Sequence, residues 1–142
     1  MRHILVATDG SEGADRAVEA AVELAKSCGA ELSIVTVGGN LSGEEMRQLA
    51  GAGNNIGDIL EQRCQQILGA AKSRAQHVGI TKIHVHSGWG DPAQSIIEIA
   101  TRAKADAIVL GRRGRGRLAG LLLGSVSQKV ASLAPCTVIV VP

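Results

Sequence analysis

Two runs of the chain, AIVL at 107–110 and VIVV at 138–141, carry no polar residue at any position. A strand with one face in water alternates apolar and polar side chains, so runs without alternation belong in a sheet covered on both faces. The rest of the chain supplies such covers. Short apolar stretches alternate with stripes at helical spacing. Five strands are expected: Ile4 to Ala7, Leu32 to Val37, Lys82 to Ser87, Asp106 to Leu110 and Thr137 to Val141. The first helix carries Ala14, Ala17, Val18, Ala21, Leu24, Ala25 and Cys28. The second carries Leu60, Cys64, Ile67, Leu68, Ala71, Ala75 and Val78, and the third Ile96, Ile97, Ala100 and Ala103. A fourth ends at Pro135. Ser11 and Asp91-Pro92 are helix starts, and Gly29 and Gly79 are stops. The segment from Gly38 to Gly57 is rich in Gly, Asn and Ser, with a short helix expected near Glu44 to Ala50.

Strands alternating with helices imply parallel pairing and right-handed crossovers. The expected fold is therefore α/β, an open parallel sheet of five strands with helices on both faces, Rossmann-like. With 142 residues, no internal repeat and no linker, residues 1–142 read as a single domain. In such a sheet ligands bind beyond the carboxyl ends of the strands, where the strand order switches. Asp9, Val37, Gly88 and Gly111 all stand at such ends.

Composition removes several classes of function. No stretch approaches the ~20 apolar residues of a membrane span, so no membrane insertion is expected. MRHILVATDG reads as a strand and not as a signal peptide. A net charge of +2 does not argue for nucleic acid, and with Trp89 the only aromatic, binding of single strands by stacking has no platform. Cys28, Cys64 and Cys136 are an odd number with no CxxC and read as buried thiols of a cytoplasmic protein.

LGRRGRGRLAGLLLGSVS, residues 110–127, packs five glycines and four arginines into a strand-to-helix junction. Such a junction is an anion site: its N–H groups converge on the ligand, and the helix start carries about half a positive charge. Gly111, Gly114 and Gly124 let the backbone approach a phosphate closely. Ser125 adds a hydroxyl, and the arginines add attraction at range. The loop is not a Walker motif, because no Lys stands where one is required. GxGxxA does match at Gly114, Gly116 and Ala119, but no ribose-binding acid follows about 20 residues on.

Gly111-x-x-Gly114, nine residues and then Gly124-Ser125 resembles the ATP-binding signature of universal stress proteins. ILVATDGSE, GDPAQSI, ADAIVLG and PCTVIVVP extend the resemblance over the whole chain. The resemblance implies a strand order of 3-2-1-4-5 and a nucleotide-dependent regulatory role in stress response, with ATP, possible Mg²⁺ and an unidentified protein partner. It implies that Asp9 accepts bonds from ribose hydroxyls, that Ala7 and Thr8 line base and sugar, and that Val35 offers backbone groups to adenine. Gly111 would lie beside the ribose and α-phosphate, with Gly114, Gly124, Ser125, Val126 and Ser127 around the phosphates. Arg112 and Arg113 fill both variable positions of the signature and add charge.

A slow ATPase or nucleotide-transferring enzyme is the alternative. Phosphoryl transfer needs Mg²⁺ held by carboxylates, and no acid follows Asp106. The loop is better equipped to hold ATP than to cleave it, and no catalytic residue is assigned. His84 and His86 share a strand face, but no third ligand stands near in sequence, so no metal is assigned. Ser11 lacks the GxSxG context of a hydrolase nucleophile. Trp89 is expected either near the adenine or packed on the third helix. In the 3-2-1-4-5 order TVIVV is an uncharged edge strand, and a homodimer through it is expected.

Overall fold

The computed structural model describes residues 1–38, 44, 47, 48, 51, 55–112 and 123–142. The elements run β1 (His3–Ala7), α1 (Glu12–Cys28), β2 (Glu31–Gly38), α2 (Ile56–His77), β3 (Ile83–Trp89), α3 (Pro92–Ala103), β4 (Ala107–Gly111), α4 (Ser125–Leu133) and β5 (Thr137–Val141). Residues 44, 47, 48 and 51 are helical, but most of the short helix expected near 44–50 lies outside the described residues.

The five strands form one parallel sheet in the order β3-β2-β1-β4-β5. Apolar strands sit where both faces are covered. Ile4, Val6, Leu32, Ile34 and Val109 pack beneath α1 and α2, through Ala17, Val18, Ala21, Leu68, Ala71 and Ala75. Leu5, Val35, Ile108 and Leu110 pack on the other face beneath α3 and α4, against Ala93, Ile96, Ile99, Ala100 and Val130. The α3 stripe differs from expectation. Ala93 and Ile99 are buried, whereas Ile97 and Ala103 are only half-buried, because α3 is rotated to aim its 93-96-100 line at the sheet. The cysteines differ too. Cys64 is buried, but Cys28 is exposed, because it ends α1 beyond the covered stripe. Burial raises the thiol pKa of Cys64 and of the half-buried Cys136.

The helix boundaries follow local chemistry. Ser11 Oγ accepts the Ala14 N–H, Asn55 accepts from Gly57 and Asp58, and Asp91 accepts from Gln94 with Pro92 behind it. Gly29 closes α1 at φ 66°, a left-handed conformation that suits glycine. Asp106 joins distant segments: its Oδ2 accepts the Arg2 and His3 N–H groups at 2.7 and 2.8 Å, and these bonds hold its carboxyl below the usual range.

Candidate functional site at the carboxyl ends of β1 and β4

β1 and β4 are neighbours, with Val6 opposite Val109. Their continuations leave for opposite faces of the sheet, β1 to α1 and β4 to α4. A crevice opens between them, as it does wherever strand order switches.

On the β1 side the chain is held by its own side chains. Thr8 is buried, and its Oγ accepts the Gly10 N–H at 3.2 Å. Asp9 Oδ1 accepts the Ser11 N–H at 2.9 Å, an Asx turn that leaves Oδ2 for another partner. Gly10 has φ 81°, which this turn requires. Behind it, on the α1–α2 face, a cleft of about 250 Å³ is floored by Thr8 and Gly10 and walled by Val18, Ile67 and Ala71.

Val35 does not offer its main chain freely. It is fully buried, and its carbonyl accepts the Thr8 N–H at 2.9 Å. The sheet instead exposes the next residue of the same parity. β1 ends opposite Val35, while β2 runs on to Gly38 beside β3. Val37, two residues beyond Val35, turns its N–H and C=O to the same side, past the end of β1. The unequal lengths of β1 and β2 produce this ledge, and neither strand's own sequence reveals it.

On the β4 side, Gly111 is explained by packing. A Cβ there would lie 3.0 Å from the Gly13 carbonyl oxygen, so glycine lets β4 end against the first turn of α1. Arg112 follows, and its main chain is bonded on both sides. Its N–H donates to Val141 and its carbonyl accepts from Gly124 N–H, each at 2.7 Å. Its Nε is buried with no hydrogen-bond partner. An unpartnered guanidinium N–H is costly to bury, and an anion would satisfy it.

α4 begins at this point, and no side chain caps it. Its N-cap is Gly124 at φ −74°, ψ 170°. The first helical bond is Gln128 N–H to the Gly124 carbonyl, so the N–H groups of Ser125, Val126 and Ser127 have no helical acceptor. No carboxylate stands in its first turn. The Ser125 side chain is exposed and Val126 is half-buried. Ser127 is buried, with its hydroxyl turned back on the Arg112 carbonyl. Gly114 and the arginines at 113, 115 and 117 lie outside the described residues.

The structure thus brings Ala7, Thr8, Asp9, Gly111, Arg112, Gly124, Ser125, Val126 and Ser127 to one end of the sheet. Trp89 is not packed on α3, one of its two expected places. It closes β3 beside Gly38, whose missing Cβ would stand 2.7 Å from its ring. Gly38 shares a strand face with Ile34, so the ring is on the α1–α2 side and not on α3. The ring is 49% exposed. Among the described residues, no group of three or more His, Cys, Asp or Glu is placed to hold a metal ion, and no helix is long and apolar enough to cross a membrane.

A profile of the Universal stress protein family matches residues 1–142. Universal stress protein MJ0531 of Methanocaldococcus jannaschii is 35% identical over 140 residues, covering 99% of this chain and 81% of that protein. Universal stress protein YxiE of Bacillus subtilis is 34% identical, with 97% of each chain covered. The crystal structure of a universal stress protein in complex with cAMP superposes with a TM-score of 0.74 at 31% identity, covering 99% of this chain and 97% of the other. With its whole length matched by the family profile and its sheet in the order 3-2-1-4-5, the chain belongs to the universal stress protein family.

Proposed function

We propose that this protein binds ATP in the crevice between β1 and β4 and acts as a nucleotide-dependent regulatory module of the stress response. The observation that carries this reading is the start of α4, a helix end with no side-chain cap, next to a buried and unpaired Arg112 Nε. The buried Nε is unfavourable in an empty site, and a phosphate would satisfy both features. A relative of this chain that has been solved with cAMP supports an adenine nucleotide.

In this reading the triphosphate lies on Gly124, Ser125 and Val126, with Gly111, Arg112 and Gly114 beside it. Asp9 Oδ2 takes a ribose hydroxyl. Ala7 and Thr8 line the sugar, and the base is met by the main chain of Val37, on the strand that Val35 anchors. Mg²⁺, if it enters, comes with the phosphates. The protein holds ATP and at most cleaves it slowly. It works in the cytoplasm as a homodimer paired along β5, an edge strand whose residues 138–141 are only half-buried in the isolated chain.

Four measurements test this. Mass spectrometry of the ligand released on denaturing the purified protein should show an adenine nucleotide, and isothermal titration should show saturable ATP binding. Neither is expected of a module that has lost its nucleotide. Light scattering at tens of micromolar should give a dimer. A turnover in the enzymatic range of ~1–1,000 s⁻¹, abolished by a change in the loop, would move the assignment to an ATPase.

A further inference from the structure

Arg112, just past the end of β4, and Gly124, at the start of α4, meet in one small knot of hydrogen bonds. Ser127 Oγ is 2.7 Å from the Arg112 carbonyl oxygen and 3.1 Å from that of Gly124. A hydroxyl has one proton to give, and the shorter contact takes it. The same Arg112 carbonyl accepts the Gly124 N–H at 2.7 Å, so both of its lone pairs are used. On the other side of the residue, Arg112 N–H donates to Val141 at 2.7 Å. Ser127 is 3% exposed, buried between the helix it belongs to and the strand end it holds.

We infer that Ser127 is a positioning residue of the nucleotide site: its hydroxyl pins the start of α4 to the end of β4 through the Arg112 carbonyl, and that hydroxyl does not itself touch the ligand. The inference rests on the nucleotide reading above. The knot fixes where the Arg112 side chain sets out, with its buried Nε, relative to the open N–H groups of Ser125 and Val126. These groups come from two elements, and only their joint placement makes a cradle for one phosphate. Two elements already joined in the free protein have lost the entropy that separate ones would lose on binding.

The test compares Ser127→Ala, Ser127→Thr and Ser132→Ala with the parent protein. Ser132 Oγ donates to the Gln128 carbonyl further along α4, the same kind of bond away from the loop. Two quantities are read: ATP affinity by isothermal titration, and hydrogen exchange of the Gly124 N–H in the ligand-free protein by NMR. Ser127→Ala should weaken ATP binding roughly five- to tenfold, as the loss of one buried hydrogen bond implies, and should speed exchange at Gly124. Ser127→Thr keeps the hydroxyl and should restore both. Ser132→Ala should move neither. ATP affinity unchanged in Ser127→Ala, or lowered equally in Ser127→Thr, overturns the inference. If Ser127→Ala does not fold, Ser127→Cys replaces it, with a weak donor of similar size, and affinity equal to the parent's overturns the inference again. A parent that binds no ATP sinks the nucleotide reading instead. The knot is then judged by exchange alone, and Gly124 protection unchanged in Ser127→Ala overturns it.

Discussion

Of the helices α1 to α4, three begin in one way and one in another. α1, α2 and α3 start behind Ser11, Asn55 and Asp91, and each cap's side chain takes one or two of the helix's first N–H groups. α4 starts behind Gly124, which has no side chain to give. A serine, asparagine or aspartate there would stabilise the helix start, and at φ −74° the backbone would accept any of them. Leaving the cap off therefore keeps the N–H groups of that end for something from outside. The open helix is also the one that starts at the switch point of the sheet, bonded to Arg112. In the proposed reading, the closed ends serve the fold and the open end serves the nucleotide site.

The largest effect should come from closing the open helix. Gly124→Asp supplies α4 with its own carboxylate, which takes the N–H groups and repels phosphate. Two hydrogen bonds to a charged group at about 1.5–3 kcal/mol each amount to roughly 3–6 kcal/mol, or a hundredfold to ten-thousandfold in ATP affinity. The ligand-free protein should meanwhile gain about 0.5 kcal/mol in urea unfolding, from the cap and the helix dipole. Affinity equal to the parent's would break the comparison. The reverse experiment opens a closed helix. Asn55→Ala should cost about 1 kcal/mol of stability and leave ATP affinity within about twofold, as titration would show. Arg115→Ala sharpens what the loop contributes beyond backbone. It should cost about 1 kcal/mol of ATP affinity or less, and the loss should shrink as salt is added. If it is more damaging than Gly124→Asp, charge and not the open helix holds the ligand.

The smallest effect separates a titrating cap from a neutral one. The Asp91 pKa is lowered by the Gln94 N–H and then by Lys129, whose Nζ is 3.0 Å away. A carboxyl with a lowered folded pKa contributes stability that is full above its unfolded value, near 3.8, and is lost as pH falls through the folded one. The melting temperature should therefore fall as pH drops below about 5, and less steeply in Asp91→Asn, which keeps an acceptor at the cap but no longer titrates. Asp106, lowered by the Arg2 and His3 N–H groups, keeps part of the slope in both proteins. Identical slopes would mean that Asp91 contributes nothing as a charge.

Much of the molecule was legible before any fold was known, and the legible parts share a cause. Ser11, Asp91-Pro92 and Gly29 mark helix ends because capping is settled within three or four residues of chain. The bounds of all five strands are legible to within a residue or two because short apolar runs alternate with helical stripes, and AIVL and VIVV mark β4 and β5 as strands that belong in a sheet covered on both faces. The strand order came from likeness to a family, since periodicity cannot rank parallel sheets. The junction at 110–127 reads as a candidate anion site because glycine density between a strand and a helix has a local meaning.

What the chain determined by itself, then, was every feature that near neighbours in sequence decide: which segments are strands and helices, where they stop, and which junction is the candidate for an anion. The tertiary structure decided everything that depends on residues far apart meeting. Val35 became an anchor and Val37 a ledge because β1 is shorter than β2. Gly111 is glycine because α1 presses on it, and Trp89 went to the α1–α2 face because Gly38 leaves room for its ring. Ser127 was expected among the phosphates, but its hydroxyl found the Arg112 carbonyl 15 residues back. Whether a polar side chain faces a ligand or a backbone carbonyl depends on which partner the packed chain brings within hydrogen-bond distance, and no local pattern encodes that distance.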